Sequence, residues 1–60
     1  MNYINIKAQH KYPIYTRVYL KYNNESGIID SYANNKYRIR LDSGNFTWEF
    51  EHNIEPLSYW

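Results

Sequence analysis

Tyr37-Arg38-Ile39-Arg40-Leu41-Asp42-Ser43-Gly44-Asn45-Phe46-Thr47-Trp48-Glu49-Phe50-Glu51 is the stretch that decides the fold. Bulky and polar side chains alternate on both sides of a short polar interruption. Tyr37, Ile39 and Leu41 fall on one side of the first run, with Arg38 and Arg40 on the other. In the second run Phe46, Trp48 and Phe50 alternate with Thr47, Glu49 and Glu51. A period of two is the signature of a strand with one buried face. Asp42 to Asn45 reads as the hairpin loop between the runs, with Gly44 suited to a left-handed position. On this reading the three rings of the second run join Tyr37, Ile39 and Leu41 in the core. Arg38 and Arg40 then pair across the hairpin with Glu49 and Glu51 on the solvated face. Trp48 becomes a core residue whose truncation to alanine unfolds the domain.

The same period continues outward. Arg17-Val18-Tyr19-Leu20-Lys21-Tyr22 alternates with Val18 and Leu20 inward. Gly27 to Tyr32 forms a further strand, in which adjacent Ile28 and Ile29 leave the facing open and Ile29 is preferred inside. Asn34-Asn35 lies between two β runs, and asparagine tolerates positive φ, so a tight hairpin is expected there. His52-Asn53-Ile54-Glu55 is long enough for one 3₁₀ turn before Pro56 stops it. Ile4 and Ile6 suggest a short strand within an N-terminal extension over residues 1–15. No internal repeat or domain boundary interrupts the chain, so residues 1–60 read as one domain.

Sixty residues without a cysteine must hold together by packing alone. Aromatic residues make up 20% of the chain and supply the bulk for that packing. The net charge of +1 gives no strong global field, so any argument from charge is local. No apolar run approaches the length of a membrane span, and the N-terminus lacks the layout of a signal peptide. A cytoplasmic location in a bacterial host is the expectation. Asn, Ile, Tyr and Lys, whose codons are AT-rich, supply nearly half the residues. With the small size, this points to a low-GC bacterial, phage or mobile-element source.

From Thr16 to Leu57 the chain resembles the small SH3-like barrels of the Tudor and KOW type. The residues that carry the likeness are Thr16-Arg17-Val18-Tyr19-Leu20, Ser26-Gly27-Ile28-Ile29, Tyr37 to Gly44, and Ile54-Glu55-Pro56-Leu57. The resemblance implies an all-β fold, a single barrel of about five short antiparallel strands with a 3₁₀ turn near His52–Glu55. It also implies binding rather than catalysis, the usual ligands being peptides, modified side chains or nucleic acid.

The residues offer little for catalysis. The serines and the two histidines, His10 and His52, form no recognisable nucleophile arrangement or metal set. Glu49 and Glu51 share a strand face and are the best acid/base pair, but solvation explains them more simply. No catalytic, metal or cofactor site is expected. The aromatics Tyr19, Tyr22, Tyr32, Tyr37, Phe46, Trp48 and Phe50 offer material for a methyl-cation cage, against the simpler assignment of most of them to the core. Outward tyrosines and a basic strip are better candidates for contact: Tyr19, Tyr32, Lys36, Arg38 and Arg40 form the expected partner-binding set. Tyr59 and Trp60 are expected to fold back against the N-terminal residues. The leading expectation is therefore a non-enzymatic binding module, a small phage-type accessory protein that binds and blocks a host protein. The alternative is a KOW/Tudor-like nucleic-acid-binding domain tracking phosphates along the same strip. A homodimer stays open.

Overall fold

The computed structural model describes residues 11–57. The strands are β1 (Arg17–Leu20), β2 (Ser26–Ala33), β3 (Lys36–Leu41), β4 (Phe46–Phe50) and β5 (Ile54–Pro56), with a 3₁₀ turn at Glu51–Asn53 before β5. They form one antiparallel sheet in the order β4-β3-β2-β1-β5. The all-β architecture and the 3₁₀ turn before β5 thus follow the sequence reading. The expected N-terminal strand at Ile4–Ile6 and the packing of Tyr59 and Trp60 lie outside the described residues.

The core is Val18, Leu20, Ile29, Tyr37, Ile39, Leu41 and Ile54, each at most 7% exposed. Val18 and Leu20 alternate inward from β1, and Tyr37, Ile39 and Leu41 from β3. Ile29, and not Ile28, is the buried isoleucine of β2. Tyr37 is seated by polar contacts as well as by its ring. Its hydroxyl accepts from the Tyr12 N–H at 3.2 Å and donates to Glu51 Oε1 at 3.2 Å. Burial is the first cause that raises the Tyr37 phenol above its ordinary value.

Two turns behave as their residues imply. Asn34 takes φ 50° in the two-residue connection between β2 and β3, and Gly44 takes φ 99° between β3 and β4. Tyr15 also takes a left-handed φ of 79°, uncommon for an aromatic residue, with its N–H donated to the Ile29 carbonyl at 2.8 Å.

β4 corrects the sequence reading. Phe46, Trp48 and Phe50 are 52%, 46% and 39% exposed, whereas Glu49 is 5% exposed. The register explains the reversal. The Leu41 N–H donates to the Asn45 carbonyl at 2.7 Å, so Asp42-Ser43-Gly44 forms a three-residue loop with glycine at its left-handed position. Arg40 then lies opposite Phe46, Arg38 opposite Trp48 and Lys36 opposite Phe50. Residues directly opposite share a face, so the rings go outward with the cations. Trp48 is therefore not a core residue.

Glu49 is opposite Tyr37 on the inner face, and its carboxylate is met by neutral donors. Thr47 Oγ1 donates at 2.6 Å, Asn53 Nδ2 at 3.4 Å, and the Tyr22 hydroxyl donates as well. That last bond is the first cause holding the Tyr22 phenol above its ordinary value. A buried carboxylate needs such partners, because desolvation without them is costly. The expected Arg–Glu pairs across the hairpin are thereby replaced.

A second irregularity re-aims β2. The register slips between Ile29 and Ser31, leaving Asp30 as the extra residue of a β-bulge. The slip brings Tyr32 opposite Tyr37, on the inner face, although simple alternation from Ile29 places it outward. The Tyr32 ring meets Tyr37 edge-on, with centroids 5.6 Å apart and planes at 79°.

Candidate functional site: the outer face of the β3–β4 hairpin

The hairpin register builds two parallel rows on one outer face. Lys36, Arg38 and Arg40 alternate along β3, and Phe50, Trp48 and Phe46 lie beside them on β4. Neighbours along each row stand about 6.6–6.8 Å apart and the rows about 4.8 Å apart, from strand geometry.

The cations do not point away from the rings. Arg38 Cζ lies 4.5 Å from the centroid of Phe46, and Lys36 Nζ lies 4.9 Å from that of Phe50. The quadrupole of each ring attracts the cation above it. The His52 ring stacks on Phe50, with centroids 5.7 Å apart and planes within 6°. Trp48, the middle ring, has no ring partner among the described residues and is the open member of the row. Two flanking rings are thus pinned by neighbours, and the largest side chain stands between them.

Arg38 is held from the other side as well. Its Nε and one terminal nitrogen donate to Asp30 at 2.9 and 3.2 Å, and Asp30 is the bulge residue of β2. This two-point contact fixes the guanidinium plane. Arg40 is exposed and makes no ion pair among the described residues. Two other ion pairs, Arg17–Asp42 at 3.0 Å and Lys21–Glu55 at 3.8 Å, lie elsewhere on the sheet.

The hydrogen bond from Arg38 holds the Asp30 carboxyl below its ordinary value, and that from Arg17 does the same for Asp42. A carboxyl depressed by folding adds stability that is complete above its unfolded pKa. That stability is lost as pH falls through the lower, folded value. Thermal melts across the acid range are expected to show Tm falling below the ordinary carboxylate range. Asp30→Asn is expected to lower Tm at neutral pH and to flatten this acid dependence. An unchanged slope in the variant would remove Asp30 from the account.

Of the expected partner-binding residues, the fold brings together Lys36, Arg38 and Arg40. Tyr19 lies two strands away on β1, half-buried, where its hydroxyl donates to Glu55 Oε1 at 3.0 Å. That bond is the first cause raising the Tyr19 phenol. Tyr32 is exposed but lies opposite Tyr37, away from the cation row, and its hydroxyl donates to the Tyr12 carbonyl at 2.5 Å. The residues missed are Phe46, Trp48 and Phe50. Their rings run in a line along one strand instead of enclosing a pocket. Two depressions near the β3–β4 loop, one lined by Asn24, Glu25, Ser26, Leu41, Asp42 and Ser43 and another by Ile28, Arg40, Leu41, Asp42 and Gly44, contain no aromatic residue. Among the described residues no cluster of His, Cys, Asp and Glu is arranged to hold a metal ion. No described helix is long and apolar enough to cross a membrane.

No protein-family model matches this chain, and no curated protein matches it. A solved NMR structure, that of the Bacillus subtilis protein YorP, is similar with a TM-score of 0.76. The match covers 98% of this chain and 84% of that one at 20% sequence identity. At that identity the likeness shows the fold.

Proposed function

We propose that this chain is a non-enzymatic binding module whose ligand is a protein, seated on the outer face of the β3–β4 hairpin. The observation that carries the reading is Trp48, 46% exposed between two rings that cations hold in place. Exposing three large rings in a chain with so small a core forgoes burial that would have stabilised the fold. A central tryptophan with adjacent arginines and a ring of flanking contacts is the composition of an interface hot spot. Pinned side chains also lose little conformational freedom on binding. The small size and AT-rich composition support a phage-type accessory protein acting on a host protein in the bacterial cytoplasm. Occlusion of the partner's own site is the proposed mode of action.

A nucleic-acid ligand is favoured by one observation, the cation row whose expected glutamate partners turn elsewhere. Against it, Asp30 already engages Arg38. Capture of partners from a low-GC bacterial lysate, with and without nuclease, separates the readings. Capture is expected to survive nuclease and to be lost with Trp48→Ala, and to weaken with Arg40→Ala while Tm stays within a few degrees of wild type. Binding that vanishes with nuclease would assign the face to nucleic acid.

A further inference from the structure

We propose that the free edge of β4 receives an extended acidic segment of the partner as an added strand. This rests on the protein-binding reading above and names the form the partner takes. Four features of the hairpin lead to it.

First, β4 ends the sheet, so among the described residues no strand pairs with its outer edge. An unpaired edge presents backbone donors and acceptors that template another strand. Second, apart from its short length and the inward Glu49, this edge lacks the common protections. Its five residues contain no proline or lysine, and the pairing with β3 runs without a bulge. The opposite edge, β5, is three residues long and ends in Pro56, which has no N–H to offer. Third, the charges that an incoming strand would meet are positive. Lys36 leans from β3 over the Phe50 ring of β4, and Arg40 stands exposed opposite Phe46, whereas Arg38 is turned to Asp30 of β2. An added strand would run about 4.8 Å beyond β4, within reach of those head groups. Carboxylates on its outward positions therefore find cations, whereas a second copy of this chain would bring the same cation row alongside. Fourth, the inner side of β4 carries Thr47 and the buried Glu49. The inward positions of the segment are therefore hydroxylic, neither apolar nor acidic.

The recognised chemistry is thus an extended segment with glutamate or aspartate and an aliphatic residue on its outward face and small hydroxyl residues on the other. The aliphatic residue lies against Trp48.

The test uses the full chain and synthetic peptides of about eight residues, a usual strand length. One face of the peptide carries glutamate, leucine and glutamate, and the other carries threonine. Backbone amide shifts and hydrogen exchange are followed by NMR. The expected result is saturable binding with slowed exchange in residues 46–50. Affinity should fall at least about tenfold when lysine replaces glutamate, since like charges then oppose the cation row. It should fall by a similar factor when the edge-facing peptide nitrogens are methylated, because main-chain hydrogen bonds supply the affinity of strand addition. Equal binding by the methylated peptide would overturn strand addition and leave the protein-binding face standing. No binding by the peptide, with lysate capture still dependent on Trp48, would do the same. Slowed exchange in residues 46–50 of the protein alone, rising with its concentration, would assign the edge to a second copy. Binding of an oligothymidine of the same length in place of the peptide would overturn both readings.

Discussion

Gly27→Ala is expected to destabilise the domain strongly, although it adds a single methyl group to a residue with no unusual backbone conformation. Gly27 lies in β2 between Val18 of β1 and Leu41 of β3. A Cβ there would stand 2.3 Å from the Arg40 carbonyl oxygen, 2.8 Å from the Leu41 Cα and 2.9 Å from the Arg40 carbonyl carbon. All three are backbone atoms of β3, so no rotamer change relieves the clash. The strands must separate, and they do so where β2 and β3 hold the centre of the sheet. Overpacking costs typically about 1–3 kcal/mol, and a rigid backbone neighbour puts this site at the upper end. A loss of about 3 kcal/mol lowers the Tm of a domain this small by roughly 12–24 °C. With a total stability near the lower end of about 5–15 kcal/mol, only about 2 kcal/mol remains and the melt begins close to 37 °C. Circular dichroism melts measure this, and a variant melting within a few degrees of wild type would show that β3 yields freely.

Tyr37→Ala is the second large effect, and its contrast with Trp48→Ala is the sharper test of the fold. Tyr37 is 1% exposed and packs among the core residues. Its removal leaves a cavity costing about 3–5 kcal/mol, comparable with the whole stability of a marginal domain. It also strips the Tyr12 N–H and Glu51 of their shared hydroxyl partner. Trp48 is the larger side chain, yet nearly half its surface is already in water. Trp48→Ala is expected to change stability by less than about 1 kcal/mol, in the range of surface substitutions with modest contacts. Denaturant titrations of the two variants side by side decide the matter. A Trp48→Ala protein less stable than Tyr37→Ala would mean that β4 is turned the other way.

Much of the fold was legible in alternation alone. Val18, Leu20, Tyr37, Ile39 and Leu41 were readable as inward, because each sits in a run where one face is plainly apolar, whereas adjacent Ile28 left Ile29 a preference only. Lys36, Arg38 and Arg40 were readable as one outward strip for the same reason. Period two, however, divides a strand into two faces without saying which one is buried. For β4, apolarity favoured the rings, and apolarity misled. The deciding signal was the position of Gly44. A three-residue loop with glycine at its third position pairs Leu41 with Asn45, and so sets Phe46 beside Arg40. Counting that pairing from the loop outward predicts exposed rings, whereas a four-residue loop over Asp42–Asn45 hides the consequence. Tyr32 is exposed as expected, but its place opposite Tyr37 was not legible, since nothing local in Ile29-Asp30-Ser31 announces a bulge. The polar lining of Glu49 was beyond reach, because Tyr22 and Asn53 come to it only through the tertiary fold.

The three-residue loop also bears on how such a protein could change over generations. One added codon between Leu41 and Phe46 would shift the count by one and turn β4 over, hiding its rings and displaying Thr47 and Glu49. A single insertion thereby trades a sticky exterior for an inert one while every strand keeps its composition. On the proposed reading of the outer face, one such insertion would remove the binding surface in a single mutational step.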